Sequence, residues 1–285
     1  MRIQLHPLLL ACVSIFLLSG YAHGTAPQQT YKHSYVAFQT GEEKPRTVAA
    51  RFSKPKQAVL PLPTIIIVHG SGGVDARGTT YSKAFNQSGM ATLEIDMWAA
   101  RGLEGGLSRP KHVRDTLPDI YAAIEYLKSR QDVDSEKLGL IGFSWGGVVA
   151  MLMSGAKESQ AITALVANYP VCWAYNKVPG YPFKEVAGQK QLLIVSGEED
   201  QYDGPQDCIN LVEQLPPESR ANTTLKVLPN ATHAFDLIQQ DSTFYDPYAF
   251  RGEGGHVPLK YNQEATKLST MLSTSFFLEH FEHSL

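Results

Sequence analysis

The pattern of apolar and polar positions divides the chain into short segments of strand and helix character. Residues 35–39 and 48–52 alternate between the two kinds of residue, which predicts an antiparallel hairpin. Residues 64–68 form a continuous β-branched run, apolar on both faces, which is typical of a central buried strand. Further strands are predicted at residues 91–95, 137–142, 162–166, 191–195 and 224–228.

Helical periodicity separates several of these strands. Helices are predicted at residues 117–127, 145–153 and 207–214, and at the C-terminus, where one face carries Ala265, Leu268, Leu272 and Phe276. This alternation predicts an α/β fold with a mostly parallel central sheet of about eight strands and helices on both faces. A Gly- and Tyr-rich stretch, residues 241–257, is predicted to be a long loop that is either functional or mobile.

The first residues have the composition of an export signal. Arg2 precedes an apolar run at residues 8–18, and small residues at positions 22 and 24 suit a signal peptidase. The run is shorter than the roughly 20 residues that span a bilayer, although a membrane anchor or a buried helix is the alternative. We therefore expect a signal peptide at residues 1–24 and a single domain at 25–285. The mature chain would be periplasmic or secreted, without a stable membrane anchor.

Composition narrows the choice of partners. The chain has 285 residues, is 43% hydrophobic and carries a formal net charge of −3, without the clustered positive charge that nucleic acids require. We find no metal-ligand spacing, dinucleotide fingerprint or phosphate-binding loop, so no metal or cofactor is expected. Cys172 and Cys208 remain after loss of Cys12 with the signal, and they form either a disulfide, which we favour, or two separate thiols. Nothing in the sequence specifies an oligomeric state.

The chemistry centres on residues 142–146, Gly-Phe-Ser-Trp-Gly, between a predicted strand and a predicted helix. Glycines two residues before and after Ser144 allow strand and helix to pass closely, which lifts the serine hydroxyl out of the sheet. The pattern therefore predicts Ser144 as a nucleophile. The alternative is a glycine-rich helix start without chemistry.

A serine nucleophile needs a histidine base and a carboxylate that orients the histidine. When the serine lies on such a strand-to-helix turn of an α/β fold, the acid follows it in the chain and the histidine follows the acid. His233 directly follows the strand predicted at 224–228, and His256 is the second candidate. Asp200 follows the strand at 191–195 in the same way, with Glu198, Glu199 and Asp203 as alternatives. The sequence thus predicts the triad Ser144, Asp200 and His233.

A glycine turn at residues 69–73 follows the central strand. Its backbone N–H groups can face the site, and we expect that of Ser71 or Gly72 to act with that of Trp145 as an oxyanion hole. His69, taken as the last residue of this buried strand, is expected to be a hydrogen-bonded core histidine.

Five stretches in this order resemble the dienelactone hydrolase family of α/β-hydrolases: residues 67–73, 95–102, 141–147, 197–200 and 231–236. The resemblance implies the α/β-hydrolase fold, the same triad, and a pocket shaped by residues 96–102 and 173–183. Trp98, Arg101, Trp173 and Tyr202 are the pocket candidates, with Arg101 either binding a substrate carboxylate or pairing with Asp96. The Tyr-Pro-x-Cys stretch at 169–172, with Cys208 after the acid, also resembles family members and supports the disulfide.

The chain departs from the family at the nucleophile. The enzymes that gave the family its name use cysteine on cyclic dienelactones, whereas this chain has serine, like general carboxylesterases. We therefore expect an exported serine hydrolase that cleaves small-molecule carboxylic esters through an acyl-enzyme. A serine peptidase or amidase, a hydrolase of polymeric esters, and a non-catalytic ligand-binding relative are the alternatives.

Overall fold

A computed structural model describes residues 31–157 and 159–282. The predicted signal peptide lies outside the described residues. Eight strands form one sheet in the order β1-β2-β4-β3-β5-β6-β7-β8. They are β1 (Tyr31–Gln39), β2 (Thr47–Pro55), β3 (Leu62–Val68), β4 (Ala91–Asp96), β5 (Val133–Phe143), β6 (Ile162–Asn168), β7 (Gln191–Gly197) and β8 (Thr223–Leu228).

Strand direction agrees with the sequence pattern. β2 is antiparallel to both of its neighbours, β1 and β4. All other pairs in the sheet are parallel. The carboxyl ends of the parallel strands therefore meet at one edge, where α/β enzymes place their sites. The predicted α/β-hydrolase fold is confirmed.

Helices cover both faces of the sheet. They are α1 (Ala76–Gln87), α2 (Leu117–Lys128), α3 (Trp145–Gly155), α4 (Asp207–Glu213), α5 (Pro217–Ala221), α6 (Ala249–Gly252) and α7 (Gln263–Glu282). Alternate residues of β3 face opposite sides: Ile66 and Val68 pack with α2 and α3, whereas Ile65 and Ile67 pack with α1 and α7. Among the described residues, no helix combines the length and the apolar character that a bilayer span requires.

Three features differ from the sequence-based expectation. Helix α1 was not predicted, because half of its buried residues are polar. The stretch 241–257 is not a structureless loop, since β9 (Ser242–Asp246) and β10 (Gly255–Leu259) form an antiparallel hairpin within and just beyond it. The buried face of α7 is rotated from the predicted one, so Leu268 is 40% exposed while Ser269 and Ser273 are fully buried.

The structure joins Cys172 and Cys208 in a disulfide, with the two Cα atoms 4.9 Å apart. The favoured sequence interpretation is therefore confirmed. The bridge links the loop after β6 to helix α4, and so joins the segments that follow the adjacent strands β6 and β7.

The disulfide closes a 36-residue separation. In the chain-entropy model such a link stabilises a fold by roughly 3–4 kcal/mol, because it restricts the unfolded chain. We expect the double variant Cys172→Ser/Cys208→Ser to lose about that much unfolding free energy in urea titrations. Wild type reduced with dithiothreitol is the matched control, and an unchanged urea midpoint in both would contradict the expectation.

Candidate active site

The chemistry-bearing side chains follow four strands at one edge of the sheet. Ser71 follows β3, and Ser144 lies between β5 and α3. Asp200 follows β7, and His233 follows β8. Parallel strands deliver these segments to a common edge, so residues far apart in sequence become neighbours.

Ser144 occupies a tight turn between strand and helix. Its backbone has φ 51° and ψ −106°, a positive φ that is strained for a non-glycine residue. A Cβ at Gly142 would lie 1.9 Å from the Gly146 carbonyl oxygen, and one at Gly146 would lie 2.2 Å from the Val68 oxygen. Both glycines are thus required by the close passage of α3, which holds the serine at the head of the turn.

His233 links Ser144 to Asp200. Its Nε2 is 2.9 Å from the Ser144 hydroxyl oxygen, and its Nδ1 is 2.9 Å from an Asp200 carboxylate oxygen. Asp200 can only accept, so Nδ1 donates its proton to the carboxylate and Nε2 remains free to accept from the hydroxyl. His233 and Asp200 are buried, at 3% and 5% exposure. The structure brings the three predicted residues together in the order that proton transfer requires.

The alternative acids and base lie elsewhere. Glu198 and Glu199 are exposed, and His256 is on β10 with its ring against Tyr245. Asp203 is partly exposed, but its carboxylate turns inward and accepts the backbone N–H groups of Cys172 and Trp173 at 2.8 and 2.7 Å.

One group of possible metal ligands occurs among the described residues, namely Cys172, Asp203 and Cys208. The two cysteines are bonded to each other, so they cannot supply the thiolates that a metal would need.

The glycine turn is held by its carbonyl groups. The Ser71 carbonyl accepts the Trp98 indole N–H at 2.9 Å and the Gly106 backbone N–H at 2.7 Å. The Ser71 carbonyl and the Gly72 N–H belong to one trans peptide and point in opposite directions, so these bonds fix the orientation of that peptide in the turn. The Trp145 N–H begins helix α3 and has no intrahelical acceptor.

The family model named "Dienelactone hydrolase family" matches residues 48–281. The chain belongs to this family. A curated relative, a candidate carboxymethylenebutenolidase from Yersinia pestis, is 24% identical over 71% of this chain and 78% of its own length. A candidate hydrolase from Bacillus subtilis, YtaP, is 28% identical over 39% of this chain, and the chain spans only 44% of YtaP.

Solved structures show the same fold. The dienelactone hydrolase from Anabaena variabilis has a TM-score of 0.58 at 19% identity, covering 88% of this chain and 98% of the other. Est1E from Butyrivibrio proteoclasticus has a TM-score of 0.58 at 18% identity, covering 86% and 99%. At such identities the likeness establishes the fold alone.

In this dienelactone hydrolase family member, a cavity of about 480 Å³ opens beside Ser144. Its described lining includes Ser71, Trp145 and Tyr202, together with Arg109, Asp246 and Tyr248, but not Gly72. A second cavity, of about 950 Å³, shares Val178, Pro179 and Tyr181 with the first but does not include Ser144. The smaller cavity is therefore the candidate substrate site.

Three predicted pocket residues do not line this cavity. Trp98 is 2% exposed and holds the Ser71 carbonyl. Arg101 is paired with Asp119 at 2.6 Å, rather than with Asp96. The ring of Trp173 packs against Gly252. Tyr202 is the predicted residue that the geometry keeps at the cavity. Sequence reasoning missed Arg109, Asp246 and Tyr248. The Tyr-rich character of the 241–257 stretch was the only signal for the last two, and Arg109 had none.

A buried network of two tyrosines and an aspartate packs against the His233 ring. The Tyr169 ring centroid lies 4.9 Å from that of His233, and the Tyr169 hydroxyl donates to Asp236 at 2.5 Å. Asp236 also accepts from the Tyr81 hydroxyl at 2.8 Å. Burial raises the pKa of the Asp236 carboxyl group, and the nearby Arg77 guanidinium partly opposes that rise.

His69 is a core histidine, as expected. Its Nδ1 donates to the Gly70 carbonyl at 2.7 Å, and its Nε2 accepts the Met97 N–H at 3.0 Å. Burial lowers the pKa of His69 to about 4, so the ring is neutral at physiological pH. Both ring nitrogens of the neutral tautomer are hydrogen-bonded, and the Nε2 bond joins the end of β3 to the end of β4.

This burial has a consequence for stability. The unfolded histidine takes up a proton near its ordinary pKa of about 6.5, whereas the folded one does so near pH 4. As pH falls from 6.5 to 4, the unfolded state binds more protons and stability decreases, by on the order of 2–3 kcal/mol from this group. We expect urea titrations at pH 7.5 and 4.5 to show a smaller loss for His69→Gln than for wild type. His256→Gln, an exposed control, should keep the wild-type pH dependence, and equal losses in all three proteins would refute the assignment.

Proposed function

We propose that this hydrolase cleaves carboxylic esters in two steps, through an acyl-enzyme on Ser144. The observation that carries the proposal is the unbroken hydrogen-bonded chain from the Ser144 hydroxyl through His233 to Asp200, at the wall of a cavity. A hydroxyl is a weak nucleophile at neutral pH, and this arrangement supplies the base and the orienting acid that activate it.

In the first step, His233 Nε2 takes the hydroxyl proton while the Ser144 oxygen attacks the ester carbonyl. The resulting imidazolium is stabilised by Asp200, which holds Nδ1–H. The same proton then passes to the leaving alcohol. In the second step, Nε2 takes a proton from a water molecule that attacks the acyl-serine. It then returns this proton to the Ser144 oxygen as the acyl–oxygen bond breaks and the acid product departs. General-base assistance of this kind contributes about 10²–10⁴ in rate.

The negative charge that develops on the carbonyl oxygen needs donors. The Trp145 N–H, at the positive end of α3, and the Ser71 N–H are the groups we assign to it. Ser71 is preferred to Gly72 because Ser71 lines the cavity.

The size of the cavity supports a small-molecule substrate. About 480 Å³ lies within the range of small-molecule sites, and part of the wall is aromatic. Ester cleavage rather than amide cleavage is our choice because serine members of the family resemble carboxylesterases.

We expect Ser144→Ala to reduce p-nitrophenyl acetate hydrolysis by at least about 10³-fold, because the attacking oxygen is removed. Ser129→Ala, which deletes an exposed hydroxyl, is the matched control and should retain wild-type rates. The measurement is kcat/KM under identical conditions. Equal rates for Ser144→Ala and wild type would end the hydrolase proposal.

The same proteins separate the alternatives. If p-nitroacetanilide is cleaved with kcat/KM comparable to that of p-nitrophenyl acetate, the chain is an amidase. If wild type is inert to both and is not labelled by a fluorophosphonate probe, it is a non-catalytic relative.

We also propose that the chain is exported, with residues 1–24 removed. The Cys172–Cys208 disulfide supports this, because such bonds persist in oxidising compartments. The sequence has three cysteines, so cleavage would leave only the bonded pair.

In an exporting bacterial host, we expect N-terminal sequencing of the recovered protein to read Thr25 first. Thiol titration in denaturant should then find no free thiol, because Cys12 is lost with the signal. Recovery of a protein that still begins at its first residue would contradict export. Detection of free thiols, whether from Cys12 or from unbonded Cys172 and Cys208, would also contradict it.

A further inference from the structure

The β9–β10 hairpin places a buried carboxylate next to the candidate site. Asp246, the last residue of β9, is 2% exposed. It accepts the Tyr202 hydroxyl at 2.8 Å, the Tyr248 backbone N–H at 2.8 Å and an Arg109 guanidinium N–H at 3.2 Å. Buried polar groups need hydrogen-bond partners, and these three donors hold the Asp246 carboxyl group at a defined position.

Tyr202 connects this carboxylate to the triad. Its ring centroid lies 4.3 Å from that of His233, and its backbone N–H donates to Asp200 at 2.9 Å. Burial and the Asp246 charge both raise the pKa of the Tyr202 hydroxyl, so it remains protonated and donates to Asp246. A donor that is bonded to a carboxylate is polarised, which increases the electron density of the ring that packs against the imidazole at an interplanar angle of 45°.

We propose that Asp246 and Tyr202 form a positioning pair that stabilises the charged form of His233. The inference rests on the proposed function and adds a second carboxylate to it. Aromatic faces attract cations, so the polarised Tyr202 ring favours the imidazolium that forms when His233 takes the serine proton. Asp246 acts only through Tyr202, whereas Asp200 contacts His233 directly.

The other groups around His233 determine in which direction the acid limb of the kcat/KM profile should move when the Tyr202–Asp246 bond is weakened. Ser144 and Asp200 bond its two nitrogens, and the Tyr169 ring packs on it with Asp236 behind. Asp203 lies beside Asp200, and Arg109 offsets the charge of Asp246. Weakening the Tyr202–Asp246 bond leaves all of these in place and removes support for the cation. The protonated imidazole then becomes less stable, so the acid limb of the kcat/KM profile moves to lower pH.

The test uses Tyr202→Phe and Asp246→Asn, with kcat/KM for p-nitrophenyl acetate measured from pH 5 to 9. Tyr202→Phe keeps the ring but loses the bond to Asp246. We expect the acid limb to move down by about half a pH unit and the plateau of kcat/KM to fall about threefold. Both effects express the same loss of stabilisation of the imidazolium, because half a pH unit corresponds to about threefold in a rate or equilibrium constant. The double variant should shift the acid limb no further than Tyr202→Phe alone, because Asp246 is proposed to act on His233 only through the Tyr202 hydroxyl.

Two further variants control for structure and for charge. Tyr245→Phe removes a hydroxyl from the same hairpin at a residue that is 55% exposed, and its profile should match wild type. Arg109→Met removes the cation beside Asp246, so the acid limb should move to higher pH. Melting temperatures identify any variant that fails to fold, and Asp246→Asn keeps the test available if Tyr202→Phe does not fold.

The outcomes separate the two proposals. A lower plateau with an unmoved acid limb means that the pair is merely structural, and it overturns the inference while leaving the ester hydrolase intact. An Arg109→Met shift in the same direction as the other two variants also overturns it. Absence of Ser144-dependent hydrolysis in wild type overturns the proposed function, and the positioning role with it.

Discussion

The close passage of helix α3 over the end of strand β5 is the constraint on which the candidate site depends. No side chain fits at Gly142 or Gly146, so the chain must turn within a few residues, and Ser144 takes a positive φ there. The Ser144 N–H is held by the Asn168 carbonyl at 3.0 Å, which attaches the turn to the end of the adjacent strand β6. The strain is tolerated because packed backbone on both sides leaves the turn no other conformation.

Strand order then determines what can reach that serine. β5 lies between β3 and β6, so the Ser71 turn and the Tyr169 loop flank Ser144 from opposite sides. β7 and β8 follow at the next positions and bring Asp200 and His233. Each residue sits just past a strand end, and for that reason the convergence of the three side chains could be predicted from motif order and strand periodicity.

Features that depend on partner choice could not be predicted in this way. Arg101 pairs with Asp119, a helix residue 18 positions away, rather than with the nearer Asp96. Helix α1 was not predicted because half of its buried residues are polar, with hydrogen bonds such as that between Ser82 and Thr92 beside the apolar contacts of Tyr81 and Phe85. In α7, the buried face was mispredicted for a similar reason, because Ser269 is buried and hydrogen-bonded to Tyr81 in the core. Hydrophobic periodicity cannot locate a face whose burial is satisfied by polar pairs.

Three buried aspartates lie around His233, one in direct contact with the ring and two behind tyrosine side chains that pack against it. Asp200 contacts Nδ1 directly, whereas Asp236 and Asp246 each accept a hydrogen bond from a tyrosine, Tyr169 and Tyr202, whose ring packs against His233. Direct contact by three carboxylates would require each to be desolvated beside the others, and their mutual repulsion would protonate some of them. Two phenols separate the charges, donate to the outer carboxylates, and present aromatic surface to the imidazole. At the neighbouring Asp203, the charge of Asp200 adds to burial in raising the pKa of the carboxyl group. The arrangement of acids around His233 therefore depends on which one bonds the imidazole directly and which ones are separated from it by a tyrosine ring.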